Sequence, residues 1–300
     1  MTRGRSIAIT APAKINLGLE ILGKRTDGYH EIRTVMAMID LADTLAISIN
    51  EADAAVRISG VPGVAPKDNL IGRAIQAFAD ESGIRAGYDI EVEKRIPSPG
   101  GLGGASSDAA STLLALNALH ADPIPESALT RLAGKLGADV PFFLGPTVAL
   151  GSGIGTTLKP LPAAEGWVVL VVPSLDIAGK TQRLYGTLLQ QDFTDGGRAD
   201  VVADAISSGH LPTPDMLHNA FERPLYEIAP QLERVRGRML SAGAPFVALS
   251  GAGPAHYALF DRESDARTFL SDFRAASGGE TLVTVARFLR ARPSVEVREG

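Results

Sequence analysis

Apolar and polar residues alternate along much of the first half of the chain, and the stretches between carry apolar residues at helical spacing. Residues 6–10, 15–21 and 31–38 combine alternation with β-branched side chains and predict strands. Residues 45–49 and 54–58 predict another pair, and the polar run 23–28, with Lys24, Arg25 and Asp27, predicts a turn. A helix is expected over residues 69–81, where Leu70, Ala74, Ile75, Ala77 and Phe78 share a face and Gly83 can close the C-terminus. A strand at 90–94 leads into a glycine-rich stretch. Helices over 108–119 and 127–136 follow, the second closed by Gly137.

The pattern loosens around residues 151–155, and Pro160 and Pro162 follow. A domain boundary is expected near 159–165, giving units 1–160 and 161–300. The second half opens on the apolar strand 167–172 and includes a helix at 231–241. It ends with strands at 246–249 and 257–260, a helix from Ser264 and a strand at 281–286. Strands and helices mixed in this way predict an α+β class rather than a doubly wound parallel sheet.

Composition narrows the function classes. Of 300 residues, 45% are hydrophobic and 21% charged, ample for a core in each half. The formal net charge of -5 argues against a nucleic-acid binder, which needs a basic excess to neutralise phosphates. Cysteine is absent, which removes disulfides, thiolate metal sites and a cysteine nucleophile. The first nine residues lack an apolar run, and the longest apolar run, 168–172, is too short for a bilayer. A soluble, cytoplasmic protein with no membrane or nucleic-acid partner is the expectation, as a monomer or homodimer.

The strongest chemical signal lies at residues 97–107: Pro97, Ser98, Pro99, Gly100, Gly101, Leu102, Gly103, Gly104, Ala105, Ser106 and Ser107. Glycines let backbone N–H groups converge on an anion, and the helix that follows adds its free N–H groups and the positive end of its dipole. Ser106 and Ser107 can offer oxygen to a phosphate or to a magnesium ion. Serine caps on a plain strand–turn–helix connection would account for two of these residues, but not for the four glycines. It is not a Walker A loop, because no lysine follows. The segment 174–181 approaches that pattern, but Ser174 stands where glycine is required, and Asp176 would put a negative charge in the cradle. Gly101, Gly103 and Ser106 approach a dinucleotide fingerprint, but the expected acid about twenty residues on falls at a helix end, near Asp122.

Set beside one another, three motifs resemble the GHMP kinases. The loop 97–110 is similar to their phosphate loop, 11–17 (A-P-A-K-I-N-L) to their N-terminal motif and 249–254 (L-S-G-A-G-P) to their C-terminal glycine motif. Two further stretches, 25–32 (R-T-D-G-Y-H-E-I) and 137–143 (G-A-D-V-P-F-F), resemble the diphosphocytidyl-methylerythritol kinase branch. Pro99, Ala105 and Ala252 depart from the usual residues without removing a reactive side chain.

The resemblance implies a two-domain GHMP kinase fold. Its N-terminal part would be like ribosomal protein S5 domain 2 and its C-terminal part ferredoxin-like, with ATP and substrate meeting between them. It implies transfer of the ATP γ-phosphoryl group, with magnesium, to the 2-hydroxyl of 4-diphosphocytidyl-2-C-methyl-D-erythritol, a step of non-mevalonate isoprenoid precursor biosynthesis. Asp139 would be the base and Lys14 a polarising cation beside it. From the residues alone, Asp139 equally suits the cap of a short helix starting at Pro141, and Lys14 a solvent-facing strand lysine. Asn16, two residues on, shares a strand face with Lys14 and would hold the substrate. Tyr29 and His30 would recognise cytosine by stacking and hydrogen bonding, and Thr181 and Tyr185 would close that pocket. Gly251 and Gly253 suit either a close backbone approach or a plain turn. His120, His210, His218 and His256 show no metal spacing. Rival readings are a homoserine- or mevalonate-type kinase, or a nucleotide sensor on the same fold.

Overall fold

The structure, a computed structural model, describes residues 5–50, 52–61, 64–65, 68–175, 177–276 and 281–298. Asp176 lies outside them.

The chain order is β1 (Ser6–Lys24), β2 (His30–Asn50), β3 (Val56–Ser59), α1 (Leu70–Ser82), β4 (Gly87–Glu93), α2 (Gly104–Leu119), α3 (Glu126–Leu136), α4 (Val140–Leu144), β5 (Val148–Ser152) and β6 (Thr157–Leu161). It continues with β7 (Trp167–Pro173), α5 (Lys180–Gly186), α6 (Gly197–Ser207), α7 (Glu222–Ile228), α8 (Pro230–Ser241), β8 (Ala248–Leu249), β9 (His256–Phe260), α9 (Glu263–Ala276), β10 (Thr281–Arg287) and β11 (Glu296–Arg298). One sheet runs β11-β1-β2-β4-β3, with β5 on the far part of β2 and β6 beyond it; a second runs β10-β7-β9-β8. Pairings are antiparallel apart from β3 with β4. This is the mixed α+β class that the pattern predicts.

Two differences from the predicted elements matter. The strands expected at 6–10 and 15–21 are one strand, β1, and those at 31–38 and 45–49 are one strand, β2. The expected break between 10 and 15 is an irregularity inside a continuous ladder, a register shift at Pro12/Ala13, and two further shifts follow at Asn16/Leu19 and Ile21/Gly23. The helix expected from Asp108 starts at Gly104, because the left-handed Gly103 (φ 73°) turns the chain straight into its first turn. The helices expected at 69–81, 127–136, 231–241 and from Ser264 are α1, α3, α8 and α9, whereas the expected pattern set no bounds for α5, α6 and α7. Asn69 caps α1 by accepting the Ile71 N–H at 2.9 Å, and Gly83 closes it in the left-handed region at φ 76°.

The first shift in β1 decides what its side chains face. Before it, Ile7, Ile9 and Ala11 pack with α1, α2 and α3 in one core. After it, Ala13, Ile15 and Leu17 join a second core, shared with Val168, Leu170 and Tyr257 of the other sheet. Lys14 and Asn16, of opposite parity, therefore point with Met36 and Met38 toward the helix side, where α2 and α4 begin. No helix of the described residues is long and apolar enough to cross a membrane.

Candidate active site

A cleft of about 730 Å³ opens where β1, β2, the glycine loop, the start of α4, α5 and the 250–254 turn converge. It collects Lys14, Asn16, Tyr29, His30, Asp139, Thr181 and Tyr185, together with Gly101, Gly103 and Ser106 of the loop and Gly251 of the turn.

At its base, the Lys14 ammonium lies 3.3 Å from Asp139 Oδ2. The lysine side chain is 5% exposed and the carboxylate 38%, so a buried cation presents an acid that faces the open cleft. Asp139 occupies the N-cap position of α4 yet makes no capping hydrogen bond with its side chain. Asp139 is thus the N-cap of α4 by position but not by hydrogen bonding, and a solvent-facing position does not describe Lys14. Asn16 Oδ1 accepts from Lys14 Nζ at 2.6 Å, and Asn16 Nδ2 donates to Thr34 Oγ1 at 2.9 Å.

The glycine loop is pinned against this pair. The Leu102 carbonyl accepts the Lys14 N–H at 2.9 Å, which ties the loop to β1 beside the Lys14–Asp139 pair. Gly101 sits at φ 78°, and a Cβ there would meet the Ser250 carbonyl oxygen at 2.4 Å. At Gly103 a Cβ would meet Phe143 Cζ at 2.8 Å and Lys14 Cγ at 3.0 Å. The loop's glycines are thus required by close approach, before any ligand is considered. Ser250 Oγ donates to the Gly101 carbonyl at 2.9 Å and the Ala255 N–H donates to the Gly100 carbonyl at 3.1 Å, so the 250–254 turn backs the loop from the other sheet. Asn219 holds that turn, donating to the carbonyls of Leu249 and Gly251 at 2.9 Å each. Gly251 is therefore a cleft residue, while Gly253 packs on Leu225 and Leu249.

Beneath the loop, Lys94 bridges the buried carboxylates of Asp43 and Asp108, the latter at 2.8 Å. Asp43 Oδ1 also accepts the N–H groups of Arg95 and Ile96 at 2.6 and 2.8 Å, anchoring the strand that enters the loop. Burial pushes the Asp108 carboxyl up to about 6, against the pull of Lys94, whose ammonium is shared with Asp43.

Of residues 97–107, the cleft takes in only Gly101, Gly103 and Ser106. Leu102 is core, and Ser107 is fully buried with no hydrogen-bond partner for its hydroxyl. That orphaned oxygen in the first turns of α2 suits a magnesium–phosphate group. Among the described residues no cluster of three or more histidine, aspartate or glutamate side chains can hold a metal ion. An ion here would thus owe most of its ligands to a nucleotide's phosphates.

Aromatic rings line the outer cleft. His30 stacks on Tyr185 with centroids 4.6 Å apart, and Tyr185 meets Phe221 edge-on at 4.9 Å. Burial, with Lys24 nearby, holds the His30 imidazole below its ordinary pKa, and burial, with the Asp139 charge, raises that of the Tyr185 phenol. Tyr29 stands free at 61% exposure on the β1–β2 turn. Sequence reasoning missed Thr34, Met36, Ile154 and Phe221, which also line the cleft. Thr34 has a sequence signal: positions 32, 34, 36 and 38 of the predicted strand read Ile, Thr, Met and Met, so it is the polar residue on an apolar face.

The family model described as GHMP kinases N terminal domain matches residues 69–145, and that described as GHMP kinases C terminal matches residues 194–278. A 4-diphosphocytidyl-2-C-methyl-D-erythritol kinase of Dehalococcoides mccartyi is 38% identical over 263 residues, covering 87% of this chain and 91% of that protein. The chain belongs to the GHMP kinase family. Family members of known structure share its two-domain architecture. A crystal structure of 4-(cytidine 5'-diphospho)-2C-methyl-D-erythritol kinase matches with a TM-score of 0.80 at 35% identity, over 94% of this chain and 98% of that one. A homoserine kinase from Cytophaga hutchinsonii matches with a TM-score of 0.77 over 97% of each chain, but at 20% identity it bears on the fold alone.

Proposed function

We propose that the chain transfers the γ-phosphoryl group of ATP to the 2-hydroxyl of 4-diphosphocytidyl-2-C-methyl-D-erythritol. The observation that carries this reading is the Lys14–Asp139 pair, 3.3 Å apart at the mouth of the glycine loop. The similarity to relatives that bear this enzyme's name supports the choice of substrate. The step would serve non-mevalonate isoprenoid precursor biosynthesis in the cytoplasm, and we divide the chain into an ATP-binding unit, 1–160, and a second unit, 161–300.

Phosphoryl transfer is mostly a matter of positioning and charge stabilisation. The loop 97–107 and the N-terminus of α2 hold the nucleotide phosphates through backbone N–H groups. Magnesium, when bound, neutralises phosphate charge, and the unpartnered Ser107 hydroxyl is the protein oxygen that fits a share of it. The substrate hydroxyl lies against Asp139, whose carboxylate takes its proton as the oxygen bonds to the γ-phosphorus and the bond to ADP breaks. Lys14 polarises that hydroxyl and stabilises the charge that develops on the transferred group.

The outer cleft suits a cytosine ring. Tyr29 offers a free aromatic face, His30 a neutral imidazole at neutral pH, and Thr181 and Tyr185 the opposite wall. Asn16 steers the ammonium through its oxygen, and its second amide N–H remains to meet the substrate.

The test is ADP release with ATP, magnesium and the diphosphocytidyl substrate, beside homoserine and mevalonate. Turnover confined to the cytidyl substrate is the expected result. Turnover with another alcohol would keep the phosphate site and discard the cytosine pocket, and none at all, despite ATP binding, would make the chain a sensor.

A further inference from the structure

We propose that Thr34 is a positioning residue that sets the orientation of the Asn16 amide, and through it the place of the Lys14 ammonium beside Asp139.

The inference rests on hydrogen-bond direction. The Thr34 hydroxyl lies 2.6 Å from the Gly18 carbonyl oxygen and 2.9 Å from Asn16 Nδ2. A carbonyl only accepts, so the single Thr34 hydrogen is committed to Gly18. The hydroxyl oxygen is then purely an acceptor toward Asn16, and only the NH₂ end of the amide can face it. The oxygen end is forced the other way, onto Lys14 Nζ at 2.6 Å. Lysine carries donors alone, so the chain of bonds has a fixed direction at both ends: Lys14 to Asn16, Asn16 to Thr34, Thr34 to Gly18. With the amide reversed, its NH₂ group would face the ammonium, and Lys14 would lose the acceptor that holds it.

The fold supplies the anchor. Between Asn16 and Leu19 the ladder shifts register, so Leu17 and Gly18 together oppose Val35. This is a β-bulge, with Gly18 in the left-handed region at φ 121°. The bulge turns the Gly18 carbonyl toward Thr34. Lys14, Asn16 and Thr34 border the cleft but are only 4%, 3% and 1% exposed, so solvent competes little with the bonds they make to one another. The Asn16 backbone is held as firmly, its carbonyl accepting from the Tyr257 hydroxyl at 2.9 Å and its N–H reaching Ser250 Oγ at 3.3 Å. Only the side-chain torsion is left open, and Thr34 closes it.

This inference rests on the kinase reading above, and its test separates the two. Thr34→Val keeps the shape of the side chain and removes the hydroxyl. We expect kcat to fall roughly 10–30-fold with the KM for ATP unchanged, the scale of one lost buried hydrogen bond and its stranded partner. Thr34→Ser restores the hydroxyl and is expected to recover most of the rate. In an Asn16→Ala background, Thr34→Val is expected to add no further loss, because a residue that acts through Asn16 has nothing left to orient. Losses that multiply in the double variant, or a Thr34→Val enzyme with wild-type kcat, would overturn the proposal. If the valine variant does not fold, Thr34→Ala carries the same comparison. A readout independent of turnover is proton exchange of the Asn16 side-chain amide by NMR. Slow exchange in the wild type and in Thr34→Ser, and fast exchange in Thr34→Val, supports the lock even if no alcohol is phosphorylated. Fast exchange in the wild type overturns it whatever the activity.

Discussion

Lys14 Nζ and Asp139 Oδ2 stand 3.3 Å apart, although one side chain comes from the first strand and the other from the start of α4. Three local events bring them together. The register shift after Pro12 turns Lys14 to the helix side of the sheet. The Leu102 carbonyl, 2.9 Å from the Lys14 N–H, sets the glycine loop alongside. Asp139 forgoes a cap on α4 and aims its carboxylate outward instead.

Removing either member tests the roles assigned to them. Asp139→Asn is expected to lower kcat by about 10²–10⁴-fold, the usual worth of a positioned general base, with little change in the KM for ATP. Lys14→Ala is expected to cost kcat on the order of 10²–10³-fold. Steady-state kinetics with both substrates checks this. An Asp139→Asn enzyme with full turnover would remove that residue from the base position.

Both members of this pair are visible in the sequence, and the family resemblance sets them side by side; the local events that bring them together are not legible there. Lys14 and Asn16 could be placed on one strand face by parity, and the structure bears that out at 2.6 Å. Which face that was depended on an irregularity that parity cannot reveal. The elements legible in the sequence are those with local signals, such as the Asn69 cap and Gly83 stop of α1. The joins in β1 and β2 look like breaks in the sequence, because an irregularity and a turn interrupt the alternation in the same way. Thr34 escaped notice for a related reason: its partners, Gly18 and Asn16, lie across the ladder rather than beside it in sequence. The short strand β11, which comes back to pair with β1 in the first sheet, carried no signal that tied it to so distant a partner.

The glycine loop makes a prediction that separates packing from chemistry. In Gly101→Ala the new Cβ would fall 2.4 Å from the Ser250 carbonyl oxygen, at a φ of 78° that alanine adopts reluctantly. The loop must shift away from the 250–254 turn. We expect about 1–3 kcal/mol of lost stability, read as a lower midpoint in a denaturant titration, together with a raised KM for ATP. An alanine variant with unaltered stability and unaltered ATP affinity would show that the loop and turn are not in register as described.

The aromatic wall yields a contrast between neighbours. Tyr29 is 61% exposed, so Tyr29→Ala is expected to leave the thermal midpoint nearly unchanged. It should nevertheless raise the KM for the cytidyl substrate roughly tenfold, within the ~1–3 kcal/mol that base stacking contributes. Tyr185→Ala is expected to raise that KM and also to destabilise the fold, since Tyr185 packs on both His30 and Phe221. If Tyr29→Ala weakened ATP and the cytidyl substrate equally, the stacking role would fall.

Stability should respond to acid through His256. This ring is fully buried, with Nδ1–H donating to the Pro254 carbonyl and Nε2 accepting from the Tyr226 hydroxyl, both at 2.9 Å. Burial, and to a lesser degree Arg236, lowers its pKa from 6.5 to about 4. Between those two values the unfolded chain binds a proton at this site and the folded chain does not. The stabilisation is therefore complete above the unfolded value and is lost as pH falls toward the folded one, by at most about 1.4 kcal/mol per pH unit. Asp108 titrates in part of the same window with the opposite sign, because burial raises its carboxyl pKa in the folded state to about 6. The informative quantity is thus the difference between wild type and His256→Gln, measured as thermal midpoints from pH 7.5 down to pH 5. We expect the gap to narrow as pH falls, because the glutamine variant has no proton to take up. His256 holds the Pro254 carbonyl of the turn that backs the glycine loop, so the KM for ATP should rise along with the loss of stability. A gap that stays constant across the range would mean that His256 does not titrate there.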